Sequence, residues 1–248
     1  MYEPRTYRNN INSKRFKSFT VSYKETDLQI CTDYESFNHK YATLVTNEII
    51  NLRAELTKYI NKNPDFKTSL LPITATNDAS ENVKSMILSS AISNTGPMSA
   101  VAGTFAQVVA NKLLANGKFN ELIVENGGDL FVKTDKSIAI TIVAGNSCLS
   151  KKIALVIPSE YTPLGVCTSS GTSGHSFSFG KADAVTVVCK SPILADAFAT
   201  AIANKIKRKG DINNVLDYYG KIKSILSLII IKDEIIGIKG KFKIKINE

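Results

Sequence analysis

A loop of small polar residues that leads into a strand and then into a helix dominates the centre of this chain. Between residues 167 and 180, ten of fourteen positions are Ser, Thr or Gly, and His175 lies among them. A strand is predicted over Ala184–Cys189 and a helix over Pro192–Lys209. Loops without bulky side chains offer many backbone N–H groups to oxygen-rich ligands such as phosphates. This succession of elements favours a nucleotide site.

The predicted helix, for which Ser191 is the expected N-cap, carries a candidate pair of metal ligands. Asp196 and Thr200 are spaced i and i+4, so their carboxylate and hydroxyl project from one helix face. The neighbouring residues are small or apolar, and a carboxylate buried among them is costly unless it is paired or binds a cation. The two oxygens suit Mg²⁺, which completes its shell with waters and phosphates. The alternative is that Asp196 faces solvent or bonds to a nearby amide.

Two glycine-containing segments earlier in the chain admit both a structural and a functional interpretation. Residues 126–129, Asn-Gly-Gly-Asp, lie between two apolar strands and are typical of a hairpin turn. The same glycines would let the backbone approach a ligand closely. Residues 96–104 begin a helix with small residues, which indicates either an anion-binding helix N-terminus or tight helix packing.

The net charge of +9 lies in the flanks of the chain rather than around these segments. Residues 1–24 carry six Lys or Arg and one acidic residue, and residues 205–248 carry eleven against five. The centre, residues 25–204, holds fourteen against sixteen. Lysine alternates with isoleucine near the C-terminus, as expected of edge strands with one solvated face. We therefore expect no nucleic-acid partner.

Cysteine spacing and hydropathy point to a cytoplasmic protein. The four cysteines are too far apart for a CxxC pair, which predicts free thiols in a reducing compartment. The N-terminus is polar, unlike a signal peptide. The longest apolar run, residues 225–231, is far shorter than the roughly 20 residues of a membrane helix. No membrane partner is expected.

Hydrophobic periodicity predicts an α+β fold in one domain, residues 1–248. A hairpin is expected over 16–32, and the residues before the central loop alternate between helical and strand patterns. The predicted helices are 41–60, 80–92 and 97–114, the strands are 122–125, 130–133, 138–143 and 153–157, and two or three strands close the chain within 222–246.

Taken in order, these segments resemble the ApbE superfamily of flavin transferases, which move FMN from FAD to a threonine of a target protein. Residues 127–129 look like its GGD, 168–171 like its Thr-Ser-Gly loop, and 196–200 like its DAxxT metal helix. The chain resembles still more closely an uncharacterised cytosolic family related to ApbE. That resemblance extends along nearly the whole chain, at residues 25–30, 96–103, 124–130, 165–187 and 194–204.

The resemblance implies a tunnelling-fold-type antiparallel sheet with packed helices and an FAD site closed by Mg²⁺. Asp196 and Thr200 would supply metal side-chain ligands, and the carbonyl of Ala102 a further one. His175 would be the first candidate for a general base. The residues implied to line the flavin nucleotide and its phosphates are Gly127, Gly128, Asp129, Thr168, Ser169, Ser170 and Gly171.

One stretch departs from the transferases and leaves the reaction open. They carry His-x-x-Asp-Pro-x-Thr-Gly, whereas residues 174–183 read GHSFSFGKAD, and their N-terminal substrate-binding stretches are not recognisable here. The first hypothesis is a Mg-dependent FAD-binding protein, either an FMN transferase with a protein substrate or an enzyme that cleaves the FAD pyrophosphate. The alternatives are a non-catalytic flavin-binding accessory protein, or a protein of sulfur or amino-acid metabolism that uses Cys167. A homo-oligomer is compatible with each.

Overall fold

Two antiparallel sheets and a layer of helices make up the part of the chain that the computed structural model describes, residues 8, 14–172 and 179–247. The strands are β1 (Lys17–Tyr23), β2 (Thr26–Thr32), β3 (Leu122–Asn126), β4 (Asp129–Lys133), β5 (Ile138–Thr141), β6 (Ile153–Ile157), β7 (Leu164–Ser169), β8 (Ala184–Cys189), β9 (Ser227–Lys232), β10 (Ile235–Gly240) and β11 (Lys243–Ile246). The larger sheet has the order β1-β2-β3-β4-β7-β8-β9-β10, and the smaller has the order β11-β6-β5.

The helices of the described residues pack on one face of the larger sheet. They are α1 (Lys40–Lys62), α2 (Asp65–Thr68), α3 (Glu81–Ser93), α4 (Val101–Asn116), α5 (Pro192–Ala203) and α6 (Asp211–Tyr219). Helix α1 lies on β1, α4 on β3 and β4, α5 on β7 and β8, and α6 on β10, whereas α3 packs against α5 and α4. The smaller sheet packs on the opposite face. The central strands are therefore buried on both faces, and their side chains alternate between the two layers.

The alternation of side chains along β4 and β7 determines on which face of the sheet the candidate site lies. Asp129 pairs with Cys167 across the two strands, and both side chains point toward the helices. Leu130 and Val166 form the next pair and point toward the smaller sheet. The side chain of Asp129 therefore lies in the layer that contains α4 and α5.

The predicted α+β class and most predicted elements are confirmed. The hairpin forms as β1 and β2, the three helices before residue 117 form as α1, α3 and α4, and the C-terminal region gives three strands. The predicted strand over 138–143 is shorter, since β5 ends at Thr141.

Three predictions about the central segment are wrong in detail. The predicted loop begins as strand β7, which continues to Ser169 because β4 and β8 supply partners on both sides. The helix predicted to reach Lys209 ends at Ala203, and a separate α6 follows. Ser191 makes no capping hydrogen bond, because its hydroxyl donates to Gln107 Oε1 at 2.7 Å instead.

Candidate functional site

Helices α4 and α5 meet near the strand ends at which the Asn126–Asp129 turn joins β3 to β4. Gly103, in the first turn of α4, lies against α5 so closely that a Cβ there would stand 2.4 Å from the Pro192 carbonyl oxygen. The same Cβ would stand 2.9 Å from the Cβ of Asp196. The small residues at the start of α4 therefore allow the backbone of one helix to contact the other.

The carboxylate of Asp196 lies on the N-terminus of α4. Its Oδ2 accepts the N–H of Gly103 at 2.8 Å and its carboxylate also accepts the N–H of Ala102. Asp196 is only 8% exposed. The N-terminus of a helix favours negative charge, which offsets part of the cost of burying this carboxylate. The bond to a nearby amide, which was the alternative to a metal ligand, is therefore present, and it brings Asp196 next to Gly103.

Asp129 lies beside Asp196 in the same buried layer. It pairs with Cys167 across β4 and β7 and lies against that residue's thiol. Cys167 is fully buried, and its thiol donates to the Pro192 carbonyl oxygen at 3.4 Å. Two carboxylates and a thiol thus share one enclosed space between sheet and helices.

Burial dominates the electrostatics of this cluster. It raises the pKa of Asp196 from 3.8 to about 7, although the two N–H donors act in the opposite direction. Burial and the neighbouring charge of Asp196 raise the pKa of Asp129 well above its ordinary value. The pKa of Cys167 is raised by burial and by the charge of Asp129. Cys167 is therefore a poor nucleophile at neutral pH.

The predicted metal ligands are oxygen donors of the kind that Mg²⁺ prefers. Thr200 is half-buried one turn beyond Asp196, and the carbonyl oxygen of Ala102 accepts the side-chain N–H of Asn126 at 3.2 Å. Among the described residues, no Lys or Arg forms an ion pair with Asp129 or Asp196. Nor does this part of the chain contain a group of three or more His, Cys, Asp or Glu able to hold a metal. A cation here would need further oxygens from waters or a ligand, as Mg²⁺ does at phosphates.

The residues predicted to contact phosphates lie at the C-terminal end of β7 and directly after it. The N–H of Thr168 donates to the Gly128 carbonyl at 3.2 Å, and the N–H of Gly171 donates to the Ala182 carbonyl at 2.8 Å. Ser169 is buried in the strand, whereas the hydroxyl of Ser170 accepts the Thr172 N–H at 3.1 Å. The amides of Thr168 and Gly171 are therefore engaged within the protein, and the hydroxyls of Thr168 and Thr186 pair with each other at 2.9 Å.

Gly171 and Gly180, at the two ends of the loop, pack against each other, and Gly180 also packs against the C-terminal end of α5. A Cβ on Gly171 would stand 2.3 Å from the Gly180 carbonyl oxygen, and one on Gly180 would stand 1.8 Å from that of Ala203. The helix that carries Asp196 and Thr200 thus also fixes the base of the loop. His175 lies outside the described residues.

The turn at residues 126–129 contains contacts that sequence reasoning missed. Gly127 and Gly128 have φ angles of 65° and 104°, a region that favours glycine. Glu125 accepts the Gly128 N–H at 2.9 Å, and Asn126 binds the start of α4. The Asn-Gly-Gly-Asp motif indicated a turn, but its link to α4 depends on contacts between distant parts of the chain.

The close approach of α4 and α5 predicts a large cost for Gly103→Ala. The added methyl group would collide with backbone atoms of Pro192, so we expect the free energy of unfolding to fall by about 1–3 kcal/mol. Gly210→Ala is the control, because an added Cβ there meets nothing within 4 Å. Urea denaturation of both variants would measure the difference. Equal stability of the two would contradict the tight packing of α4 on α5.

Among the described residues, no helix is both long and apolar enough to span a membrane.

Residues 8–215 match the family described as AbpE bacteria. A UPF0280 protein of Methanocaldococcus jannaschii is 40% identical to this chain over 226 residues, which is 89% of each. Among solved structures, the flavinyl transferase ApbE of Pseudomonas stutzeri in its apo form has a TM-score of 0.56 at 15% identity, covering 91% of this chain and 94% of its own. The ApbE protein of Thermotoga maritima has a TM-score of 0.60 at 11% identity, covering 91% and 97%. At such low identity these two structures establish a shared fold alone.

Proposed function

This chain belongs to the family described as AbpE bacteria, and from that membership we propose that it binds a flavin nucleotide, FAD, together with Mg²⁺. The observation that carries the proposal is the pair of buried carboxylates, Asp129 and Asp196, which form no ion pair with a cation in the described part of the chain. Buried carboxylates are costly unless a cation compensates them. The relatives named as flavin transferases suggest which ligand would bring one.

Each residue of the site has a distinct task in this proposal. Asp196, Thr200 and the Ala102 carbonyl would hold Mg²⁺, which neutralises charge on a pyrophosphate. The N–H groups at the start of α4 hold the Asp196 carboxylate in place. Gly127 and Gly128 present a turn without side chains, against which a flat nucleotide can lie. Asp129, the last residue of that turn, adds a second carboxylate and so strengthens the preference of the site for a cation.

A non-catalytic accessory role is the second candidate, and a specific contact favours it. Asp183, the acidic residue that remains in the divergent stretch 174–183, is engaged elsewhere in the fold. Its carboxylate accepts the Thr172 hydroxyl at 2.9 Å and the Asp233 N–H at 2.5 Å. A carboxylate committed to anchoring the loop is not available as a general base. If the protein is catalytic, His175 is the first candidate for that base.

The thiol-based alternative has little chemical support. Cys167 is fully buried, and both burial and the carboxylate of Asp129 disfavour the thiolate. We propose that it is a packing residue whose thiol donates a hydrogen bond to the Pro192 carbonyl. Free cysteines at 31, 148, 167 and 189 agree with a cytoplasmic location.

FAD binding with and without Mg²⁺ tests the proposal directly. Purified protein is titrated with FAD in excess Mg²⁺ and in EDTA, and quenching of flavin fluorescence is followed. We expect binding in Mg²⁺ and at least about 10-fold weaker binding in EDTA. Absence of FAD binding under both conditions would refute the proposal. Release of AMP from bound FAD then separates an enzyme from an accessory protein.

A further inference from the structure

Arg8 forms a buried bridge between strands β2 and β3 beside the candidate site. Its Nε donates to Glu125 Oε2 at 2.6 Å, and its two terminal nitrogens donate to Asp27 Oδ1 at 2.9 Å and to the Asp27 carbonyl at 3.0 Å. The side chain of Arg8 is 9% exposed, and those of Asp27 and Glu125 are each 8% exposed. This is an enclosed ionic network rather than a surface pair.

The network continues into the glycine turn. Glu125 uses its other oxygen, Oε1, to accept the N–H of Gly128 at 2.9 Å. Gly128 is directly followed by Asp129, one of the two buried carboxylates of the site. A hydrogen-bonded path therefore runs from Arg8 through Glu125 to the turn that presents Asp129.

We propose that Arg8 is a positioning residue of the flavin-nucleotide site. It holds Glu125 in the orientation that fixes the Gly127–Gly128 turn, and the inference rests on the proposed function for the ligand. Without the guanidinium, Glu125 would lose the hydrogen bond at Oε2 and the ion pair with Arg8. Its carboxylate would then be held less firmly in this orientation, which weakens its hydrogen bond with the Gly128 N–H.

The same chain offers a matched control at the opposite end of β3. Arg15 pairs with Glu121, whose Oε2 accepts the Arg15 Nε–H at 2.9 Å. The Arg15 and Glu121 side chains are 21% and 6% exposed. Arg15→Gln therefore removes a comparable arginine–glutamate pair, just before the start of the same strand, without touching the turn.

The experiment measures amide hydrogen exchange at Gly128, FAD affinity in Mg²⁺, and global stability in urea for the same variants. Arg8→Gln is expected to speed exchange at Gly128 and to weaken FAD binding about 10-fold relative to Arg15→Gln. Arg8→Lys, which keeps the charge but not the three-way geometry, should fall between parent and Arg8→Gln. Arg15→Gln should change global stability alone.

Glu125→Ala provides a second variant in case Arg8→Gln does not fold. It removes the acceptor of the Gly128 N–H while Arg8 keeps its bonds to Asp27, so exchange at Gly128 should again rise and FAD binding fall. Parent-like exchange and affinity in Glu125→Ala, or equal values for Arg8→Gln and Arg15→Gln, would overturn the inference. If the parent itself binds no FAD, the proposed function fails, and Gly128 exchange alone decides whether Arg8 positions the turn.

Discussion

Asp196→Asn is expected to weaken Mg²⁺-dependent FAD binding by about 100-fold or more. The asparagine oxygen can still accept the N–H groups at the start of α4, so the substitution removes the charge and leaves the size unchanged. Loss of one charged partner in an enclosed site costs about 2–5 kcal/mol, and each 1.4 kcal/mol corresponds to about tenfold in affinity. Titration with FAD in Mg²⁺ and in EDTA gives the measurement.

Asp211→Asn is the control for this result. The Asp211 carboxylate also accepts two backbone N–H groups, those of Lys207 and Arg208, each at 2.9 Å, but it lies at the start of α6 away from the site. Asp211→Asn should therefore leave FAD affinity unchanged. Thr200→Val removes the uncharged member of the proposed ligand set and should weaken FAD binding less than Asp196→Asn. Parent-like affinity with unchanged Mg²⁺ dependence in Asp196→Asn would rule out the assignment of this carboxylate to the metal.

The fold was predictable where a local pattern determines the structure. The long helix α1 follows its apolar periodicity, and β8 follows its run of β-branched residues. Strand β7 was missed because its last residues, Thr168 and Ser169, read as part of a polar loop. Pairing with β4 and β8 and burial on both faces determine its structure, and neither is visible in a local pattern.

The end of α5 illustrates the same limit. Residues 205–209 were predicted to continue the helix, but four of these five residues are basic and solvent-facing, and Ile206 alone is buried. The helix ends at Ala203, whose carbonyl packs against Gly180. This contact at the helix end joins residues more than twenty positions apart, and periodicity carries no information about it.

For the site, sequence spacing placed Asp196 and Thr200 on one helix, and the resemblance placed Ala102 beside them. The family relationship on which that resemblance depends is confirmed. The roles of these residues stay predictions. The contacts of Asn126 with α4 and of Arg8 with Glu125 join residues 24 and 117 positions apart. Such long-range pairs arise from sheet order and helix packing, and no motif signals them.

Without divalent metal, stability is expected to fall as the pH rises from 5 to 7.5. The pKa of Asp196 is 3.8 as an isolated group and about 7 in the folded protein, so between these values the folded state holds a proton that the unfolded state has lost. Its contribution to stability is full below about pH 4 and disappears above about pH 7. Asp129, whose pKa is also raised, acts in the same direction.

The fall attributable to Asp196 is about 2–3 kcal/mol between pH 5 and 7.5, since each pKa difference of one corresponds to about 1.4 kcal/mol. Carboxylates with lowered pKa values, such as Asp33 and Asp211, change stability at more acidic pH and leave this window clear. Urea denaturation in EDTA gives the profile, and Asp196→Asn should flatten it. Excess Mg²⁺ with FAD should reverse the slope, because a cation binds the ionised carboxylates and displaces the proton. An identical slope in parent and Asp196→Asn would show that the charge of this buried carboxylate is compensated by other means.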